Sequence, residues 1–158
     1  IVQQHETFKD WTLDIFGQGE WKEMLQNMID KAGLNKHTHI NKPTNAIGKE
    51  YANSSFIVMT SNYEGFGMVL VEAMACGVPA IAFDCKCGPK DIIEDGINGL
   101  LVKDGDISGL AHAMVKLMDN DSLRLRLASN ARRITETYSE ENVMGQWVSL
   151  FEELAERR

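Results

Sequence analysis

Two glutamates, Glu64 and Glu72, are separated by seven residues in the stretch Ser61 to Phe83, SNYEGFGMVLVEAMACGVPAIAF. Within Met68 to Cys76 the only polar side chain is Glu72. A helix that is apolar on nearly all sides is expected to be buried. A buried carboxylate without a partner costs several kcal/mol or gives up its charge. The sequence therefore predicts that something hydrogen-bonds to Glu72. If Gly67 to Cys76 is helical at ~1.5 Å per residue, Glu72 lies at least roughly 7 Å along the axis from the helix start, with Glu64 further back in the loop. Glycosidases that form a covalent intermediate hold their carboxyls about 5 Å apart, and inverting ones about 6.5–9.5 Å, on opposite faces of one bond. This pair is more naturally placed to grip two parts of one long ligand. The amides of Phe66, Gly67 and Met68 would be unpaired donors at a helix N-terminus, which is an anion site. Gly65 and Gly67 would let a ligand approach the backbone closely. An elongated molecule with hydroxyls at both ends and phosphate nearby suits that arrangement, as in a nucleotide-sugar.

The elements that must position this stretch alternate between short apolar runs and helical patterns, the signature of a parallel sheet covered on both faces by helices. Ile1 to Asp10 reads as the tail of a helix. Trp11 to Phe16 is a strand turned by Gly17-Gln18-Gly19 into a helix. There Trp21, Met24, Leu25, Met28, Ile29 and Ala32 form one apolar face, closed by Gly33. Thr38 to Lys42 is a short strand ended by Pro43, and Thr44 or Asn45 caps the short helix that follows. Ser55 to Thr60 and Pro79 to Asp84 are buried strands. Gly88-Pro89 would start a short helix with free amides, where Lys90 either adds positive charge or is simply solvated. Gly96 and Asn98-Gly99 are turn chemistry, and Leu100 to Val102 is the last strand.

Three helices close the chain. The first follows Asp106 and presents Ile107, Leu110, Ala111, Met114 and Met118. The second carries Leu123, Leu127, Ala131 and Ile134. The third is capped by Ser139 and presents Val143, Met144, Trp147, Val148, Phe151 and Leu154. All three stripes read as core. Arg124, Arg126, Arg132 and Arg133 read as a solvated face rather than a phosphate patch.

EGFGMVLVEAMACGVPAIAFD followed by GPKDIIEDGINGLLV resembles the C-terminal, donor-nucleotide-binding half of a family 4 retaining glycosyltransferase of the GT-B fold. The resemblance runs over essentially the whole chain and is specific between residues 61 and 102. It implies an α/β fold: a doubly wound, Rossmann-like parallel sheet with helices on both faces, forming one nucleotide-sugar-binding domain over 1–158. By position, Glu64 takes the catalytic role beside the donor sugar hydroxyls, and Glu72 holds the ribose. The Gly65, Phe66, Gly67 and Met68 backbone faces the sugar and diphosphate, with Gly88 and Lys90 on the diphosphate side. Gly17 is implied on the ligand side, although a tight strand-to-helix turn explains it equally well. Lys42, Pro43 and Thr44 are implied neighbours of the base, with an ordinary turn as the alternative.

The resemblance further implies transfer of a hexose from a UDP-sugar with retention at the anomeric carbon, using no cofactor and no metal. Relatives open this half with a strand, a glycine-arginine turn and a lysine, which Ile1 to Trp11 lacks. The expectation is thus a fragment lacking the first strand of a 3-2-1-4-5-6 sheet and the preceding acceptor domain. The gap is filled by residues or a chain outside this sequence, or the sheet closes up. An isolated fragment of this kind would be inactive, and any peripheral membrane contact would come through the missing domain. The alternatives are a non-catalytic nucleotide-sugar binding module and a GT-B epimerase; EGFGMVLVE argues against the latter.

Composition sets bounds on these readings. With 158 residues, 44% hydrophobic and 25% charged, the chain is an ordinary globule with a real core. A net charge of −7 argues against a nucleic-acid partner. Three cysteines without secretory features read as reduced thiols in a cytoplasmic protein. The Cys85-x-Cys87 pair lacks a second pair, and His37 and His39 lie far off in sequence, so a zinc site is not expected.

Overall fold

The structure, a computed structural model, describes residues 1–157. It divides into two compact units, Ile1–Ile47 and Gly48–Arg158.

The first unit opens on a single 3-10 turn, Glu6–Phe8, where a helix tail was expected. That turn buries Phe8. Strands β1 (Leu13–Phe16) and β2 (Thr38–Asn41) pair in parallel, Leu13 opposite Thr38 and Phe16 opposite Asn41. Helix α1 (Lys22–Lys31) makes the crossover. It stops where Gly33 takes a φ of 66°, a left-handed turn that glycine adopts without a Cβ penalty. Of the apolar face read for α1, only Ile29 is buried, while Trp21, Met24 and Met28 are exposed. Two strands offer too narrow a sheet to cover a stripe of that width.

The second unit contains most of the core. After α2 (Ile47–Ala52) come β3 (Ile57–Met59), α3 (Met68–Ala75), β4 (Ala80–Asp84), α4 (Pro89–Ile92) and β5 (Gly99–Lys103). Its three strands are parallel in the order β3-β4-β5, with Ile57 opposite Ala80 and Ala80 opposite Gly99. The strands thus form two sheets. Among the described residues β1 pairs only with β2, and β3 only with β4.

Strand β4 carries the core on both faces, as a central parallel strand must. Ala80 and Ala82 point into one cluster with Met59, Leu70, Met74, Ile92, Ile93, Ala131 and Ile134. Ile81 and Phe83 point into the other with Leu100, Val102, Leu117 and Leu127. Gly99 belongs to β5 rather than to a turn, paired with Ala80, and a Cβ there would press on the Ala80 carbonyl across the ladder.

Helices α5 (Ile107–Met118), α6 (Asp121–Ala131) and α8 (Glu140–Glu156) are each capped by a side-chain oxygen. Asp106 accepts from the Gly109 amide at 2.8 Å, Asn120 from Leu123 at 2.8 Å, and Ser139 from Asn142 at 3.2 Å. Ile134 does not continue α6 but begins a separate short helix, α7 (Ile134–Thr137). The break is a tightening to i→i−3 bonds, Arg133 to Asn130 and Thr135 to Arg132.

Two surface readings are corrected. The Arg124 guanidinium donates to the Leu117 and Met118 carbonyls at the end of α5 and pairs with Asp121, while Arg126 donates to the Gly96 carbonyl at 3.1 Å. These arginines fasten helix ends and loops instead of forming a merely solvated face. The α8 stripe is not core: no residue of that helix is buried, and Trp147 and Phe151 are 50% and 61% exposed. Their rings lie against each other, centroids 5.7 Å apart, one helical turn along.

Leu70 is fully buried and Leu125 is 72% exposed. Urea denaturation should show Leu70→Ala losing about 2–5 kcal/mol, with Leu125→Ala within about 0.5 kcal/mol of wild type.

Candidate functional site

In the second unit the candidate residues follow the carboxyl ends of β3 and β4, where open α/β sheets bind ligands. The chain leaves β3, passes through Glu64 and Gly65, and enters α3 through Gly67. Gly67 takes φ 96°, ψ 46° as N-cap and supplies no side-chain cap. The Leu70 amide bonds back to the Gly67 carbonyl at 2.9 Å, whereas the amides of Phe66, Gly67 and Met68 meet no acceptor among the described residues. They carry the partial positive charge of a helix start.

Gly67 is buried, and a Cβ on it would lie 3.5 Å from both Ile92 and Leu70. Gly88, at φ 94°, is the N-cap of α4, and a Cβ on it would run into the Phe66 carbonyl. The loop before α3 and the start of α4 therefore touch backbone to backbone. The Phe66 ring meets Tyr138 edge-on, with centroids 5.2 Å apart and planes at 73°. The Tyr138 hydroxyl in turn donates to the Asp91 carbonyl of α4 at 3.1 Å. Burial, and then Asp91, push the Tyr138 phenol above its usual value, so it remains a donor.

The acidic pair differs from the expectation of a buried Glu72. Helix α3 buries Leu70, Ala73 and Met74 but exposes Met68, Val69, Glu72 and Ala75 along its opposite side. The carboxylate of Glu72 thus keeps solvent, and no polar or charged residue is buried among the described residues. It does have the partner that the sequence called for: Tyr51 of α2 donates its hydroxyl to Glu72 Oε2 at 3.2 Å. The Tyr51 phenol is pushed up to about 12, by burial first and then by the Glu72 charge and hydrogen bond. Glu64 is half-buried, and among the described residues it has no hydrogen bond or ion pair.

The remaining candidates fall as follows. Lys90 is exposed on the first turn of α4. In the first unit Gly17 follows the carboxyl end of β1, its amide donating to the Asn41 carbonyl at 3.1 Å. Lys42 and Pro43 are exposed after β2, and the Thr44 hydroxyl accepts from the Ala46 amide at 3.0 Å. All three cysteines are free, Cys85 donating to the Cys87 carbonyl at 3.4 Å.

Two hollows lie away from the acidic pair. One of about 850 Å³ runs along the surface of α8, and one of about 280 Å³ is lined by Ser54, Gly77, Pro79 and Arg124. Size alone does not locate chemistry here, because the first is lined by residues from Ser139 to Glu153, essentially one helix.

Sequence reasoning missed Tyr51 and Tyr138. Tyr51 lies 21 residues before Glu72, and Tyr138 lies 47 residues beyond Asp91. The only sequence signal for either was the requirement that Glu72 find a donor.

A family model described as glycosyl transferases group 1 matches residues 2–134. The chain belongs to that family. An exopolysaccharide phosphotransferase of Streptomyces coelicolor is 36% identical over 149 residues, 94% of this chain and 16% of that protein. A poly(ribitol-phosphate) alpha-N-acetylglucosaminyltransferase of Staphylococcus aureus is 36% identical over 138 residues, 87% of this chain and 28% of that protein. The structure of a mutant of S. aureus TarM, crystallised with fondaparinux, alpha-GlcNAc-glycerol and UDP, superposes with a TM-score of 0.87 at 33% identity. It covers 95% of this chain and 30% of that one. The chain is therefore much shorter than the relatives it matches. Its fold is the Rossmann-like C-terminal half of a GT-B glycosyltransferase, with parallel strands between helices.

Gly88→Ala brings a Cβ against the Phe66 carbonyl at a backbone conformation that L residues avoid. A thermal melt should show a loss of about 1–3 kcal/mol. Gly65→Ala, at an open position, should stay near wild type.

Proposed function

We propose that this glycosyl transferases group 1 chain is the donor-binding half of a retaining glycosyltransferase that takes a UDP-hexose. The observation that carries the reading is the start of α3. There, in chain order, uncapped amides lie between Glu64, a carboxylate with no partner among the described residues, and Glu72, one presented to solvent. A diphosphate suits the amides, and hydroxyl donors on either side of it suit the carboxylates.

In this scheme Glu72 accepts from the ribose and Glu64 from the hydroxyls of the donor sugar. The bond from the anomeric carbon to the diphosphate oxygen breaks, and a bond to the acceptor oxygen forms on the same face. The acceptor proton passes to the departing phosphate. The intervening oxocarbenium-like charge is stabilised by Glu64, and the departing negative charge by the amides and Lys90. No metal or other cofactor takes part. S. aureus relatives support the reading: the TarM structure contains UDP, and the ribitol-phosphate enzyme is named for an alpha-linked product. An alpha product from an alpha-linked UDP-sugar is retention.

The acceptor is held outside these residues, so the chain alone binds donor without transferring sugar. Among the described residues no helix is long and apolar enough to cross a membrane. The proposed site of action is the cytoplasm, a reducing compartment that suits three free cysteines.

Calorimetry on the chain should rank UDP above GDP and ADP, and Glu72→Ala should weaken UDP by about tenfold. Equal binding of all three nucleotides would overturn the UDP assignment, and an unaffected variant would overturn the ribose assignment. In an enzyme that carries this chain together with its acceptor-binding part, Glu64→Ala should lower turnover about 100-fold or more with little change in nucleotide affinity. A normal rate would remove Glu64 from the chemistry.

A further inference from the structure

Glu72 is on the exposed side of α3, and a glutamate there is ordinarily free to sample many rotamers. Here one oxygen is engaged. The Tyr51 hydroxyl reaches Oε2 at 3.2 Å from a side chain that is itself buried on α2, a different helix. Oε1 has no partner among the described residues.

We propose that Tyr51 is a positioning residue for nucleotide binding: it fixes the Glu72 carboxylate through Oε2, so that the remaining acceptor sites are aimed at the ribose hydroxyls. The inference rests on the ribose reading of Glu72 given above.

Three physical points carry it. An ionised carboxylate accepts only and offers about four lone-pair directions, so one phenol bond leaves capacity for a vicinal diol. Tyrosine is a stiff anchor with two side-chain torsions and a buried ring. The ordering of Glu72 is thereby largely completed at folding and is not charged against ligand binding. The phenol also stays protonated: burial, followed by the Glu72 charge, pushes it up to about 12, so it donates throughout the physiological range. A carboxylate fixed in this way discriminates by hydroxyl count, because a deoxy-sugar leaves its lone pairs facing carbon. Tyr51 would therefore sharpen the preference for ribose over deoxyribose without touching the ligand.

The test compares UDP with 2′,3′-dideoxyuridine diphosphate, by calorimetry on the 158-residue chain. Tyr51→Phe keeps the buried ring and removes only the hydroxyl. It should weaken UDP about five- to tenfold, leave the dideoxy ligand unchanged, and add nothing further in a Glu72→Ala background. Equal weakening of both ligands, or a lower melting temperature with the ligand ratio intact, would assign Tyr51 a packing role and overturn the inference.

Glu72→Ala, a change on an exposed surface, separates the two levels of the argument. If that variant loses the ratio while Tyr51→Phe keeps it, only the positioning role fails. If it keeps the wild-type ratio, or if the wild-type chain binds no UDP at all, the ribose reading fails and the inference fails with it.

Discussion

Two backbones in direct contact set the geometry of this molecule. The Phe66 carbonyl occupies the space where any residue other than glycine at 88 would place its Cβ, and Gly88 holds a conformation that L residues avoid. From that contact the rest follows. Gly67 is buried beside Ile92 and Leu70, α3 begins without a side-chain cap, and its first amides are left open. A side chain at Gly88 would force the two backbones apart, whereas at Gly67 the obstacle is the left-handed backbone conformation itself. The edge-on packing of Phe66 on Tyr138, and the bond from Tyr138 to Asp91, close the same joint from the far side. The joint depends on steric exclusion and two aromatic rings, with no buried charge to neutralise.

Around this joint the polar groups divide into those that maintain the fold and those left available. Arg124, Arg126, Asp106 and Asn120 spend their hydrogen bonds on helix ends and loops. Glu64 has no such duty, and Glu72 has one bond with capacity to spare. An exposed carboxylate retained on an otherwise apolar helix, and braced from another helix, does little for stability.

Much of this was legible in the sequence because it depends on local rules. The run Ala80 to Phe83 could be read as a strand buried on both faces, since its side chains alternate between two clusters with no polar member. Gly33, Gly88-Pro89, Asp106 and Ser139 marked helix ends by the conformations and caps they supply. The misreadings share one cause: an apolar stripe reports that a face needs cover, not that this chain supplies it. Glu72 was expected to be buried because α3 is apolar nearly all round, yet Met68 and Val69 beside it are exposed. The α8 stripe and most of the α1 stripe are exposed as well. Tyr51 and Tyr138 were invisible for a different reason. Their roles depend on which helices meet in space, and no periodicity encodes that.

The two-faced strand β4 also governs how the molecule breathes. Its backbone is laddered on both sides, and four of its five residues are buried, whereas α8 is tied down mainly through α7 and buries nothing. Amide protons of β4 can exchange with solvent only when the second unit opens as a whole, while those of α8 exchange through local fraying. The chain therefore has a graded resistance to opening, highest beneath the joint between Phe66 and Gly88 and lowest along its final helix.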